Sequence, residues 1–514
     1  MTQRSCIVTL PPPTPNGGLH VGHLAGPFLA SDAYTKASRL AGHPTFVTSY
    51  SDVNQSYVRV TAQRQGRDPA ELASTWTADI RRTLDLYGCD VGEFLSPDAA
   101  TADYTRRMFV AMYERGLLVR KPFTFFYSPA RKAMLDEAGV SGYCPRCLDR
   151  CKCGICEACA FPNTAQTLLS PRDTLTGDTG LVAKTVDVLV LEVERHRDAI
   201  ARYHAANTRH RPRYRWLVED ALRAPLADFP VSLPGDWGVA VDHPQFVGQV
   251  INPWAEVMSN FVYCYERAAT HLPGTATPQV VNFFGYDNSY FYAIVHVALM
   301  DAADCMQWAP HAVVINEFYN LDHGKFSTSA NHVLWAGDVA QRHDPDAVRL
   351  FCALNSPGFE KGNFNEPEMA RVVESRLAAP WRRIARLFNE RLAELPDRSV
   401  AADVALTAAG RHALRRVLAS YGAKRFHLRQ AAEDILHLQA YLLDSLESPA
   451  DATQFRGIAY LVKCLAQAMY PIAPGVAQRM FAAVSTHAIG ALDEADVERI
   501  APLPAELFLR VEAA

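Results

Sequence analysis

The stretch at residues 9–23, TLPPPTPNGGLHVGH, constrains this chain more than any other. The apolar run at 6–10 predicts a short strand, and the Pro- and Gly-rich loop after it cannot continue that strand. His20-Val21-Gly22-His23 then opens a long helix-like segment. Strand, loop and helix N-terminus in that order predict the start of a parallel α/β unit. The first-turn N–H groups have no intrahelical partner and the helix dipole favours anions there, so two imidazoles around a glycine predict a polyphosphate site. Gly22, with no Cβ, leaves room for a ligand beside the backbone. Alone, an HxGH run is weak evidence; its context gives it weight.

At 514 residues the chain is too long for one ordinary domain. About half of it is apolar (49%), yet no run is long enough to span a membrane, and the first five residues are too short and polar for a targeting segment. A cytoplasmic chain without membrane contact, monomeric, is therefore expected. The net charge of −4 excludes a broad basic coat, so any nucleic-acid contact must use local patches.

Four segments are expected. Residues 1–117 form the first half of a Rossmann-type catalytic domain, with a second strand at 45–48. Residues 118–240 break the α/β rhythm as an insertion that carries a cysteine cluster and an Arg/His-rich patch at 209–215. In 241–365 the parallel α/β pattern returns, with buried strands at 280–284 and 312–315, each followed by a polar or Gly-containing loop where open sheets bind ligands. From 366 to 514 apolar residues recur at three- and four-residue spacing, which predicts an all-α bundle with a kink at Pro380. The fold class is thus α/β, a parallel sheet split by an insertion, followed by a helical bundle.

Six of the 12 cysteines lie within sixteen residues. Cys144-x2-Cys147 and Cys156-x2-Cys159 are two knuckles of the kind that hold Zn2+ tetrahedrally, at Zn–S of roughly 2.3 Å. Cys151 and Cys153 leave the choice of ligands open, since they could replace one pair or serve a second ion. A closed four-thiolate site is structural, so no catalytic role is assigned to this metal. The scattered cysteines read as small buried hydrophobes.

A second signal is His323-Gly324-Lys325-Phe326-Ser327-Thr328-Ser329, a short loop after the strand that ends near Ile315. A lysine among small hydroxyl residues reaches phosphate oxygens as a mobile cation, with Ser327 and Ser329 beside it. The plain alternative for such a loop is a solvated turn.

The pair of motifs, HxGH and KxSxS about three hundred residues apart, resembles the class I aminoacyl-tRNA synthetases, and most closely the methionyl-tRNA synthetase family. The resemblance covers nearly the whole chain. It extends to Asn16-Gly17 before the first motif, the cysteine knuckle in the insertion, Asp236-Trp237-Gly238-Val239 leading to Trp254, Gly285-Tyr286-Asp287 after a strand, and the trailing helices. It implies ATP-dependent activation of an amino acid as its adenylate, with Mg2+ bridging phosphates, and transfer to tRNA. His20 and His23 would hold the triphosphate and Lys325 would close over the leaving pyrophosphate. Gly22, Gly285 and Asp287 would cradle ATP, Asp287 at the ribose. Asp52 would bind the substrate amine, and Pro12, Thr14, Trp254 and Tyr292 would wall the side-chain pocket.

Departures cluster at specificity positions. Thr14 stands where the family usually has Tyr, Pro11 and Pro12 where Ala and Leu are common, and Tyr292 where a His lines the methionine pocket. Asn54-Gln55-Ser56 replaces His-Gly-Thr after the amine-binding acid, and Thr328 replaces a second lysine. The stretch at 446–451 lacks the Pro-Trp pair used near the anticodon, which argues against reading the methionine anticodon. Two further readings follow. One is a divergent paralogue in a specialised biosynthetic pathway that activates another amino acid for tRNA or a non-tRNA acceptor. The other is a catalytically silent RNA-binding or regulatory protein.

Overall fold

The computed structural model describes residues 5–207, 209–326, 332–395, 403–448 and 452–508. Its centre is a five-stranded, all-parallel sheet: β1 (Cys6–Thr9), β2 (Thr45–Tyr50), β3 (Glu93–Leu95), β4 (Gln279–Gly285) and β5 (Ala312–Asn316), in the order β5-β4-β1-β2-β3. The chain leaves β1 in one direction to build β2 and β3, and returns much later on the other side as β4 and β5. β1 and β4 therefore flank the switch point, where open parallel sheets bind ligands beyond the carboxyl ends of their strands.

Strand residues alternate between two cores. Val8 of β1 packs with Phe28, Leu29, Phe351, Trp381 and Leu461 in a cluster that runs into the C-terminal helices. Ile7, one residue earlier, packs on the other face with Phe261, Phe284, Ile294 and the insertion. Alternation of side chains across a pleated strand accounts for this division.

The insertion contributes a long antiparallel pair, Val119–Ser128 against Val182–Leu191, with the short strands Ala133–Met134 and Phe229–Pro230 at its edges. A separate three-stranded sheet, Arg150–Lys152, Val140–Tyr143 and Leu169–Asp173, carries the cysteines. After β5 a small sheet (Tyr319–Leu321, Gly324–Lys325, Gly362–Phe364) presents the second motif. The helices Ala379–Glu394, Val404–Ala419, Leu428–Glu447 and Ala452–Met469 then pack as the bundle expected from their apolar spacing.

Two expectations of regular helix are corrected. The segment after His20 is not one helix: a three-residue turn, Val21–His23, passes through a π-helical stretch, Leu24–Phe28, before Leu29–Leu40 begins. Gly26 sits at φ −82°, ψ −112°, and Pro27 lacks an N–H, so the helical ladder breaks there. A Cβ on Gly26 would come within 2.9 Å of Asn316 Nδ2, so close approach of β5 demands glycine. Near Pro380 the irregularity falls earlier, as a π-helical stretch at Glu374–Ala378. The proline itself occupies the first turn of Ala379–Glu394, where no donor is needed.

The catalytic half and the bundle are joined by a buried charge cluster. Arg349, fully buried on the helix Pro345–Leu354, donates from Nη2 to Asp32 Oδ2 at 2.6 Å and to the Pro471 carbonyl at 3.0 Å. It donates from Nε to the Ile472 carbonyl at 2.5 Å and from Nη1 to the Tyr87 carbonyl at 3.0 Å. Asp32 also pairs with Lys36, which donates to the Gly88 carbonyl at 2.8 Å. Removing one partner of such a cluster strands the other in a low dielectric. Arg349→Met is therefore expected to lower the unfolding free energy by about 3–5 kcal/mol in a urea titration, and a loss under about 1 kcal/mol would contradict this role.

Candidate active site

The first motif lies at the carboxyl end of β1. His20 caps the Val21–His23 turn, and its Nδ1 accepts the His23 N–H at 3.2 Å while His23 Nδ1 accepts the His20 N–H at 3.4 Å. The rings stack at 3.6 Å between centroids. With both Nδ1 atoms accepting, a neutral ring carries its proton on Nε2 and keeps that N–H as a donor. The rings are held neutral: desolvation, helped by the neighbouring His23, keeps His20 well below its ordinary value, and desolvation in the cleft pushes His23 down to about 4.

Gly22 serves this arrangement in a way not read from the sequence. A Cβ there would meet His20 Nδ1 at 3.0 Å and Phe326 Cδ2 at 3.1 Å. The space is taken by the motif's own ring and by the second motif, so glycine is required for packing.

The two motifs meet. Phe326 stacks on His20 at 4.4 Å and 9° between planes. His20 forms an isolated β-bridge with Trp335, where Val21 N–H donates to the Leu334 carbonyl at 3.0 Å and Ala336 N–H to the Leu19 carbonyl at 2.8 Å. The segment following the KFSTS loop is thus laced to the HVGH loop. Lys325 leaves its short strand to pair with Glu157, Nζ to Oε2, at 2.5 Å. Desolvation works against the ammonium, but Glu157 outweighs it and raises the pKa. Ser327, Thr328 and Ser329 lie outside the described residues.

At the end of β4, Gly285 leads into the turn Tyr286–Asn288. A Cβ on Gly285 would come within 2.4 Å of Asp287 Oδ1, so glycine lets that carboxylate fold back over the strand end. Burial, together with the charge of Glu157, pushes Asp287 up to about 7.

Asp52 follows β2 and is buried; its N–H donates to the Pro13 carbonyl at 3.0 Å, which ties it to the opening loop beside Pro12 and Thr14. Burial and then the charge of Glu256 hold it well above the usual carboxylate range. Trp254 starts the helix Pro253–Ala269, stacks on Phe291 at 4.0 Å and donates from Nε1 to Glu137 Oε2 at 2.7 Å. Tyr292 is buried against Phe284 (4.2 Å) and His296 (4.8 Å), and His296 Nε2 lies 2.8 Å from the Trp254 carbonyl.

Trp254 and Tyr292 do not line one space. Trp254, with Asn54 and Phe291, borders a cavity of about 640 Å³ under the inserted sheet, whereas Tyr292 faces a void of about 10 Å³.

Three acids were not singled out in the sequence. Burial pushes Glu137 and Glu256 up to about 7, and Glu256 accepts from Asn54 Nδ2 at 2.7 Å while its other oxygen finds no partner among the described residues. Glu256 lies two residues beyond Trp254 in the first turn of its helix and Glu157 lies between Cys156 and Cys159, and neither position carries a motif of its own.

The cysteines resolve into one quartet. The sulfurs of Cys144, Cys147, Cys156 and Cys159 all lie within 4.8 Å of one another, with Cys144–Cys159 at 3.7 Å and Cys147–Cys156 at 3.6 Å. A tetrahedron with Zn–S near 2.3 Å has edges of about 3.8 Å, so the quartet fits Zn2+. Cys151 stands outside it, its sulfur accepting from Asn163 Nδ2 at 3.3 Å, and Cys153 is not part of the quartet.

The arginines of the 209–215 patch and of the helix face at 371–386 are largely engaged within the fold. Arg211 donates to the carbonyls of Ile315, Gly358 and Phe426. Arg213 pairs with Glu317 and donates to the Ala158 carbonyl at 3.1 Å. On the helical face Arg376, Arg382, Arg383 and Arg386 each pair with a glutamate. These side chains pin the insertion and balance the bundle's charge.

Two outcomes follow. Acids whose folded pKa is raised lend stability that is complete below their unfolded values near 4 and is lost as pH rises through about 7. The melting temperature of the ligand-free protein is expected to fall from pH 5 to pH 8, and less steeply in Glu256→Gln; equal slopes would contradict the burial of that charge. Cys147→Ser is expected to lower bound zinc, read by atomic absorption, from one per chain towards none, with Cys153→Ser unchanged.

The family model for class I tRNA synthetases (M) matches residues 6–386. The methionine–tRNA ligase of Roseiflexus castenholzii is 28% identical over 410 residues, covering 74% of this chain and 67% of that protein. The methionine–tRNA ligase of Thermomicrobium roseum is 25% identical over 385 residues, covering 72% and 65%. The chain thus spans about two thirds of the length of these relatives. The crystal structure of Mycobacterium tuberculosis methionyl-tRNA synthetase bound by methionyl-adenylate superposes with a TM-score of 0.76 over 98% of this chain and 100% of that one, at 18% identity. With the parallel sheet, both motifs and the knuckle in place, the chain belongs to the class I tRNA synthetases (M).

Proposed function

We propose that this enzyme activates an amino acid with ATP as an aminoacyl adenylate and passes the acyl group to tRNA, with methionine as the first substrate to test. The observation that carries the reading is the meeting of the two motifs, Phe326 on His20, at the carboxyl end of β1. It supports a single site shared by the histidine donors and the strand that bears Lys325.

In the first step a carboxylate oxygen of the amino acid bonds to the α-phosphorus of ATP, and the bond from that phosphorus to the bridging oxygen breaks. Pyrophosphate leaves with the electron pair. The neutral His20 and His23 donate to phosphate oxygens, Lys325 and the hydroxyls of Ser327 and Ser329 meet the departing pyrophosphate, and Mg2+ accompanies the nucleotide as its counter-ion. Asp287 accepts from the ribose. Asp52 takes the substrate ammonium, with Pro12 and Thr14 on the adjoining loop and Trp254 at the side chain, whereas Tyr292, which faces a separate small void, stands outside that pocket. In the second step a terminal ribose hydroxyl of tRNA attacks the acyl carbon, AMP leaves, and the hydroxyl proton is released. No covalent enzyme intermediate is needed, because positioning and electrostatics supply the acceleration.

In this reading residues 1–117 and 241–365 form the catalytic sheet, 118–240 the connective insertion, and 366–514 the helical domain that faces tRNA. Among the described residues no helix is long and apolar enough to cross a membrane, which accords with a cytoplasmic site of action.

ATP–pyrophosphate exchange over a panel of amino acids, followed by charging of total tRNA, tests the proposal. Methionine-dependent exchange with charging of methionine tRNA is expected. Exchange with another amino acid alone would transfer the reading to a divergent relative, and exchange with none would sink it. Lys325→Met is expected to slow exchange by about 10²–10³ with the fold intact, since it removes a cation from the leaving group.

A further inference from the structure

We propose that Glu157, at the tip of the cysteine knuckle, is a positioning residue for Lys325: it holds the ammonium at the mouth of the nucleotide site until a triphosphate displaces it. This inference rests on the adenylation reading above.

The backbone that carries this carboxylate is rigidly mounted. Glu157 lies between the thiols of Cys156 and Cys159, in a turn closed by Ala160 N–H to the Cys156 carbonyl (2.7 Å) and Cys156 N–H to the Phe161 carbonyl (2.9 Å). Arg213 grips the next residue, donating from Nη2 to the Ala158 carbonyl at 3.1 Å. The same guanidinium pairs with Glu317, just past β5, and lies 3.5 Å over the ring of Tyr286, the neighbour of Asp287. The knuckle tip is therefore registered against the strand ends that form the site.

Lys325 is mounted differently. Its backbone ends the two-residue strand paired at Asn320, and its side chain is mostly exposed (62%). A long, solvated side chain reorients at little cost, whereas the knuckle does not. An ammonium shared between a carboxylate and a phosphate holds two anions against each other, so a bound triphosphate favours drawing it away from Glu157. The cost of that exchange appears in nucleotide affinity and leaves folding untouched. For a partly exposed pair it amounts to about 2- to 5-fold.

The test is ATP binding to the full zinc-loaded chain by calorimetry, without amino acid, in a double-mutant cycle of Glu157→Gln and Lys325→Met. Glu157→Gln is expected to tighten ATP binding about 2- to 5-fold, with zinc content and melting temperature as in wild type, and to have no effect in the Lys325→Met background. Glu157→Asp, which keeps the charge, is expected to restore wild-type affinity in part. Unchanged or weaker ATP binding in Glu157→Gln would overturn the proposal, as would loss of zinc. The same gain in the Lys325→Met background would overturn it too, by showing repulsion of ATP without the lysine. Wild-type protein that binds no ATP and exchanges no pyrophosphate would refute the adenylation reading itself, an outcome distinct from these.

Discussion

Arg349 is the fixed point on which the two halves of the molecule are assembled. Its five donors are shared among a carboxylate on the first long helix, the Tyr87 carbonyl and the Cys89 sulfur, and two carbonyls of the bundle. A buried guanidinium has few ways to be satisfied, and its partners come from three separate parts of the chain. The geometry that meets its needs is accordingly one particular docking of bundle on sheet. Apolar packing supplies most of the attraction between them, but oily surfaces slide; the planar fork does not. The helix Leu29–Leu40, which follows the turn of the two histidines, is set in place by the same contact through Asp32.

The site built on this frame is short of cations. Asp52, Glu137, Glu256 and Asp287 lie buried with raised proton affinities, and Glu157 stands at the mouth. The histidines that contact the anionic substrate in our reading are neutral donors. Such a site is electrostatically unfinished, and in our reading the substrate ammonium and the Mg2+ that accompanies the nucleotide are the cations that complete it. Carboxylates taken out of water and given neutral donors in place of a cation are costly to a fold, and a cluster of them beside a cleft is what a site for cationic ligands requires.

Much of this was legible in the sequence, because the informative signals are local. A strand, a Gly/Pro loop and a helix start are written in consecutive residues, and so are two CxxC knuckles; β1, β4 and β5 and the zinc quartet lie where those patterns placed them. The less legible parts arise from contacts between distant segments. Glu157 gains its role from a lysine 168 positions away. The arginines at 211 and 213 read as a solvated basic patch, yet the fold turns them inward, since a charged run says nothing about which neighbour will cover it. Gly22 was assigned to a ligand, and only the packed structure shows that His20 and Phe326 fill its place. The break at Gly26-Pro27 was present in the letters but was outweighed by the helical periodicity around it.

The stacking of Phe326 on His20 has a mechanical consequence. Lys325 and Phe326 are adjacent, so the backbone that carries the lysine also carries the lid over the imidazole. Any swing of that backbone large enough to redirect the ammonium also slides the phenyl ring, uncovering one face of His20 or pressing on it. The two motifs are therefore geared together, and the state of the loop is written on the histidine before any phosphate is touched.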